Sequence, residues 1–384
     1  MIYFVFWGLL YLGAVVDSGT DKKLTPKNCF IFYSLIFTYF LVLAGFRYKT
    51  GYDWQNYMPF FENINNPTMF KKMDVGYAWL NYFFKNVFNS YSVMIFVVAL
   101  FCTCVLFKFN KTYSSYPMMS LFIYGATLFL PYNMGLYRQS IAMTLSLIVF
   151  HFIVTRKYCY AILLFLLSMT FHISAIITLF YFICVQIHFT KNQRITILLL
   201  IIFLNLRGIS IVTSIFTFFF SLPIIPSSIS HYGNYLFTGL GKQVQFSSGL
   251  GYLLRMILYI IIFLNKENNT RVTNSIFNLI LFGCFINSFA RHIQIIERLE
   301  KYFTIYEMIF YVYMIDVFKK YLRSNIRILF TMFFCLYFFL VPRGFVIGNN
   351  SVDGKPTWIR FYPWHSTIFK IEENERNAVM KSVF

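Results

Sequence analysis

Residues 91–107 read YSVMIFVVALFCTCVLF, and neither a charge nor a proline interrupts them. A helix needs roughly 20 apolar residues to cross a bilayer, with about 17 tolerated, so this stretch is long enough to span. Lys108 and Lys111 close it with positive charge. Outward from that run, the composition is 58% hydrophobic, 22% aromatic and 12% charged, with a mean hydropathy of +0.62. A soluble domain carries about 25% charged residues, so the chain is read as a polytopic membrane protein.

The same length rule picks out about twelve apolar runs. They cover residues 2–16, 29–46, 91–107, 118–130, 140–154, 158–171, 173–187, 195–220, 251–264, 272–290, 302–318 and 326–341. The expected fold is all-α, a single membrane-embedded domain over residues 1–384, with larger outward segments at 47–90, 221–249 and 342–384. Ala78 to Val87 is too short to span and predicts a helix lying in the interface. The glycines and prolines of 221–249 predict a mobile loop or lid. The N-terminal run has no basic region before it and no small-residue cleavage pattern after it, which argues against a cleaved signal peptide.

The net charge of +19 raises the question of nucleic acid, but the basic residues lie in short clusters between apolar runs rather than on one face. Those clusters give orientation instead. Lys22, Lys23 and Lys27, then Lys108 and Lys111, Arg156 and Lys157, Lys191 and Arg194, Lys266 and Arg271, and finally Lys319 to Arg327 occupy alternate connections. Their density marks the cytoplasmic side. Arg47, Arg138, His172 and Arg298 then share the outer side. Seven cysteines fall mostly inside apolar runs without metal-ligand spacing and read as lipid- or core-facing residues. No P-loop, glycine-rich dinucleotide turn or D-x-D is present, so no metal or cofactor is expected.

Arginine at the edge of a span is costly unless it meets an anion. With 33 Lys and Arg against 14 Asp and Glu, that anion is expected to come from outside the chain. Four groups carry the chemistry. In Arg47-Tyr48-Lys49-Thr50-Gly51-Tyr52-Asp53-Trp54-Gln55-Asn56-Tyr57, Gly51 permits a turn that returns Asp53 toward Arg47 at the membrane surface, although the same residues suit interfacial anchors. Arg138 begins a span, where free backbone donors add to its charge, or where it snorkels. His172 sits between apolar residues; it is either a hydrogen-bonded structural residue or a base near pH 7. Arg291, His292, Glu297, Arg298, Glu300, Lys301 and Tyr302 precede and enter the eleventh run, where the acids can also pair with Arg298 or Lys301 at helical spacing. Arg207 and Arg255 rank lower, as residues that snorkel. The aromatic tail Phe361 to Ser366 either packs over the site or lies on the headgroups.

The chain resembles the bacterial O-antigen and exopolysaccharide polymerases of the Wzy type, in particular the EpsG-like branch. The resemblance rests on Arg47 with Gly51 and Asp53, Asp74-Val75-Gly76-Tyr77, Arg138-Gln139-Ser140-Ile141-Ala142, Phe171-His172-Ile173-Ser174-Ala175 and Arg298-Leu299-Glu300-Lys301-Tyr302-Phe303. Lys49, Tyr52 and Asp74 depart from the pattern. The resemblance implies a GT-C-like membrane glycosyltransferase in the bacterial cytoplasmic membrane, acting on undecaprenyl-diphosphate-linked glycans beside a flippase and a chain-length regulator. It further implies catalytic roles for Asp53, His172 and Arg138, and diphosphate or substrate binding by Arg47, Arg138, Arg298, Tyr302 and Arg291. A lipid-linked oligosaccharide flippase and an O-antigen ligase are the alternatives.

Overall fold

The computed structural model describes residues 2–19, 26–51, 53–220, 250–266, 270–290, 294–347, 351–352, 355–356, 361 and 364–369. Apart from an antiparallel pair of two-residue strands, Ser351–Val352 and Lys355–Pro356, the described secondary structure is helical. Its order is α1 (Ile2–Gly19), α2 (Pro26–Gly45), α3 (Trp54–Glu62), a 3-10 turn (Pro67–Lys72), α4 (Val75–Phe88), α5 (Tyr91–Tyr113) and α6 (Pro117–Tyr124). A π-helical segment (Gly125–Asn133), α7 (Tyr137–Val154), α8 (Tyr158–Phe171), a 3-10 turn (Ile173–Thr178), α9 (Leu179–Cys184) and α10 (Lys191–Phe220) follow. The last are α11 (Leu250–Asn265), α12 (Arg271–Ala290), α13 (Gln294–Thr304), α14 (Glu307–Phe310), α15 (Tyr313–Tyr321) and α16 (Ser324–Ile347).

Among the described residues, three helices are long and apolar enough to cross a membrane: Lys27–Gly45, Tyr91–Tyr113 and Tyr137–Val154. Shorter apolar helices cover Ile2–Ser18, Tyr158–Phe171, Ile173–Cys184, Gly251–Asn265 and Ile326–Phe338. The protein is a membrane protein. Most of the expected runs fall on helix, but the seventh, 173–187, divides into a 3-10 turn and the short α9 and ends in non-helical backbone. The eleventh, 302–318, breaks into α13, α14 and α15. At the breaks Tyr306 N donates to Phe303 O and Met314 N to Tyr311 O, so the chain tightens to three-residue turns.

Contacts gather the chain into two compact units, residues 1–176 with 318–384, and residues 177–317. In the first, the apolar run of α5 starts where the Ser90 hydroxyl accepts from Val93 N, a helix N-cap. Pro117 at the start of α6 ends the turn that follows α5. The core is aromatic: Phe40 meets Phe6, Phe107 and Phe129 edge-on, with centroids 5.0, 5.5 and 4.6 Å apart. The stretch Ala78 to Val87, expected to be helical, lies within α4. Gly76 brings it against α8, where a Cβ would stand 2.3 Å from Thr170 Oγ1 and 3.0 Å from the Thr170 carbonyl carbon.

In the second unit, α9 ends in carbonyls that no helix turn satisfies. Asn278 Nδ2 of α12 donates to Cys184 O and Ile187 O, and Asn274 Nδ2, one turn earlier, also reaches Ile187 O. Such pairing is what non-helical backbone requires in an apolar bundle. Arg194, read from sequence as a cytoplasmic-loop charge, is buried here, with Nη2 on Asn274 Oδ1 at 2.6 Å.

Candidate functional site

The segment after α2 is fixed from three sides. Residues 46–48 pair with the tail: Arg47 bridges Ser366, Tyr48 N donates to His365 O at 2.8 Å, and Thr367 N donates to Phe46 O at 2.7 Å. The Trp364 indole adds a bond to Leu43 O at 3.2 Å. This part of the tail therefore packs against the Arg47 segment. Gly51 has φ +110, and a Cβ there would lie 2.0 Å from Met134 O. Only glycine fits, and the turn expected from sequence is pressed onto the connection between the π-helical segment and α7. In that segment Pro131 interrupts the ladder, and Tyr124 Oη holds Asn133 Oδ1 at 2.5 Å.

Arg47 closes this arrangement. Its Nη1 donates to Ala44 O at 2.5 Å and Asn133 O at 2.7 Å, and its guanidinium lies 4.1 Å from the Tyr137 ring centroid. The residue is 2% exposed, and burial pulls its pKa below the ordinary guanidinium value. Nε and Nη2 are buried with no hydrogen-bond partner. A buried unsatisfied donor is rare in a native structure, and on a cation it is expensive.

The neighbouring groups repeat the pattern. Arg47, Lys49, Trp54, Lys85, Tyr91 and Tyr137 line one cavity of about 270 Å³, with Glu62 as its acid. Trp54 Nε1 and Tyr91 Oη are also buried without partners. Three residues of the lining, Arg47, Trp54 and Tyr91, thus carry four unpartnered donor atoms buried behind the cavity surface, beside the charges of Lys49 and Lys85. Such a set matches an anion rich in acceptor oxygens. Sequence reading placed Arg47 and Trp54 in one group but passed over Lys85 and Tyr91. Tyr91 opens α5 and Lys85 lies in the last turn of α4, so only folding brings them to Arg47.

Behind Tyr137 the chemistry differs. Tyr57 lies between Tyr77 and Tyr137 at centroid distances of 5.4 and 5.3 Å, and its hydroxyl donates to Asp53 Oδ2 at 3.2 Å. Burial pushes the Tyr57 and Tyr77 hydroxyl pKa values up, and nearby Asp53 adds to the effect at Tyr57. Arg138, 5.9 Å from the Tyr57 ring centroid, binds Asp74 Oδ2 at 2.7 Å. Its expected anion is therefore met partly from within the chain, which corrects the argument from scarce carboxylates. The structure brings Asp53, Tyr57, Asp74 and Arg138 together. His172 instead stops α8 in extended backbone, with its Nδ1 accepting from Ser174 N at 3.2 Å; it lines neither this cavity nor the cleft beside Arg138.

Each remaining candidate belongs to the second unit. Arg298 is exposed on α13, whereas Tyr302 is 0% exposed and its carbonyl accepts from Tyr181 Oη in the core. That burial removes the Tyr302 ring from any surface contact with substrate. Arg291 and the 221–249 loop lie outside the described residues, as does the Arg207 side chain. Arg255, ranked low as a snorkelling residue, is bound by Glu307 and reaches Glu300 at 3.4 Å, while Tyr259 Oη donates to Glu307 at 2.5 Å. Lys301 pairs with Glu297 at 3.1 Å, the helical spacing expected from sequence. Burial would raise the Glu300 pKa, but Lys301 and then Arg255 outweigh it and hold the carboxyl below its usual range.

Among the described residues, no three His, Cys, Asp or Glu side chains gather as a metal site would require. No curated protein and no solved structure matches the chain. The EpsG family model matches residues 30–350, from within α2 to the end of α16 and through both units, and the chain belongs to the EpsG family.

Proposed function

We propose that this EpsG-family membrane protein is a polysaccharide polymerase that transfers a growing glycan from undecaprenyl diphosphate to the non-reducing-end sugar of another carrier-linked repeat unit. The observation that carries the reading is the cavity in which Arg47, Trp54 and Tyr91 hold four buried donor atoms with no acceptor. A glycosyl diphosphate arrives with its leaving group attached, so a transferase needs chiefly to stabilise the charge that develops as that group departs. Arg47 Nε and Nη2 would take phosphate oxygens in a fork, Trp54 and Tyr91 would add neutral donors, and Lys49 and Lys85 would supply charge.

On this reading the acceptor hydroxyl oxygen attacks the anomeric carbon while the bond from that carbon to the diphosphate oxygen breaks. The proton passes to a carboxylate, for which Asp53, next in sequence to Trp54 of the cavity wall, is the candidate, and the electron pair leaves with undecaprenyl diphosphate. In-line attack inverts the anomeric centre. Asp74 orients Arg138 beside Tyr57, whose hydroxyl donates to Asp53. His172, on Ser174, is assigned to shaping the end of α8. The expected setting is the bacterial cytoplasmic membrane, with the Arg47 side outward.

The test is to give the purified full chain one lipid-linked repeat unit without ATP or nucleotide sugar. A ladder of products spaced by one repeat supports polymerisation. No product from a folded sample overturns it, and transfer to a lipid core in place of a ladder would identify a ligase.

A further inference from the structure

The backbone of Arg47 is held by a short piece of the C-terminal tail. Tyr48 N donates to His365 O at 2.8 Å and Thr367 N to Phe46 O at 2.7 Å, so the chain on either side of Arg47 is tied down in an antiparallel bridge with Ser366. Two side-chain bonds extend the hold. The Trp364 indole donates to Leu43 O at 3.2 Å, and the carbonyl of Phe361, a residue 1% exposed, accepts from the Tyr3 hydroxyl at 2.9 Å. Beyond the bridge the chain turns at once, because Ser366 Oγ accepts from Ile368 N and Phe369 N at 3.3 Å. The result is a strap with local structure of its own, in the same compact unit as the Arg47 cavity.

Two observations give this strap more than a packing role. Thr367, besides donating to Phe46 O, lines the Arg47 cavity. That cavity also has more wall than an anion needs. The donors of Arg47, Trp54 and Tyr91 and the charges of Lys49 and Lys85 answer a diphosphate, whereas Tyr48, Thr50, Asn89, Ser92 and Thr367 lie outside that set. An aromatic ring beside short hydroxyl and amide side chains suits a sugar, whose C–H faces are apolar and whose edges carry hydroxyls. The two parts of the wall also separate along the chain. Arg47, Trp54 and Tyr91 fall within residues 30–350 matched by the EpsG model, and the strap lies beyond them.

We propose that residues 364–367 form a specificity strap: their backbone pairing seats Arg47, and Thr367 contacts the sugar joined to the diphosphate. The Arg47 donors then hold what all such ligands share, and the strap reads the sugar in which they differ. The inference rests on the reading above for the identity of that sugar-bearing ligand.

The experiment measures binding of two probes to the full chain in nanodiscs of neutral lipid, undecaprenyl diphosphate alone and the same carrier bearing one repeat unit, beside a thermal melt of each variant. Thr367→Val keeps the backbone pairing and loses the hydroxyl. It should weaken the sugar-bearing carrier roughly 3- to 10-fold, the worth of one neutral hydrogen bond, and leave the bare carrier unchanged. Thr367→Ser should bind both probes as the unaltered protein does. Thr367→Pro removes the N–H that Phe46 O accepts, so it should weaken both. Equal weakening of the two probes in Thr367→Val, no weakening of either, or unaltered binding in a folded Thr367→Pro would overturn the proposal. The two readings fail separately. A protein that forms no ladder but shows the selective loss in Thr367→Val would sink the polymerase reading and leave the strap standing, while a ladder with unaltered binding in both variants would sink the strap alone.

Discussion

Replacing Arg47 with methionine separates a ligand-binding arginine from a structural one. The side chain keeps its bulk, loses its bonds to Ala44 O and Asn133 O, and removes a desolvated charge from beside Tyr137. Exchanging a buried charge for an apolar group of similar size is often close to neutral, and the two lost bonds oppose that gain by about 1 kcal/mol each. The melting temperature should therefore move by no more than ~4 °C. Activity should change far more. Nε and Nη2 carry three hydrogens with no acceptor in the protein, and removing one preorganised donor to a developing anion costs about 2.7–4 kcal/mol, a factor of about 10² to 10³ in kcat. Single-turnover transfer from a lipid-linked repeat unit, measured beside thermal unfolding in detergent, gives both numbers. Full activity in folded Arg47→Met, or an activity loss no larger than the loss of folded protein, would refute the reasoning.

Tyr91→Phe deletes a buried hydroxyl that has no partner; it should leave stability unchanged or raise it by up to ~1 kcal/mol while weakening substrate binding several-fold, read by unfolding and KM. Gly51→Ala places a Cβ against the Met134 carbonyl at positive φ, so it should lower the yield of folded protein sharply on size exclusion. Glu307→Leu leaves Arg255 without its nearest carboxylate. The loss should fall somewhat below the roughly 3–5 kcal/mol of a fully buried pair, because the Arg255 side chain keeps 21% of its surface exposed; adding Arg255→Met should restore much of it in a thermal melt.

Hydropathy made most helices legible because an apolar bundle needs continuous runs, and α8 begins and ends where its run does. The interruption between α13 and α15 left no mark, since residues 302–318 contain neither glycine nor proline and the turns at Ile305 and Tyr311 depend on packing. Arg47, Gly51, Asp53 and Arg138 were visible as charge and turn chemistry at the ends of spans. Their surroundings were not. Trp54 and Tyr91 look like ordinary interfacial aromatics until folding buries their donors, and Arg255 meets Glu300 and Glu307 from 45 and 52 residues away, beyond any helical spacing. His172 was ambiguous in sequence, and its bond with Ser174 suits a structural residue and a positioned base alike.

The most direct measurement is a structure of the full chain with a polyprenyl diphosphate-linked repeat unit bound. The account predicts phosphate oxygens within about 3 Å of Arg47 Nε and Nη2, with Trp54 Nε1 and Tyr91 Oη as further donors. A bound carrier whose diphosphate lies elsewhere, with those four atoms facing only water, would contradict it.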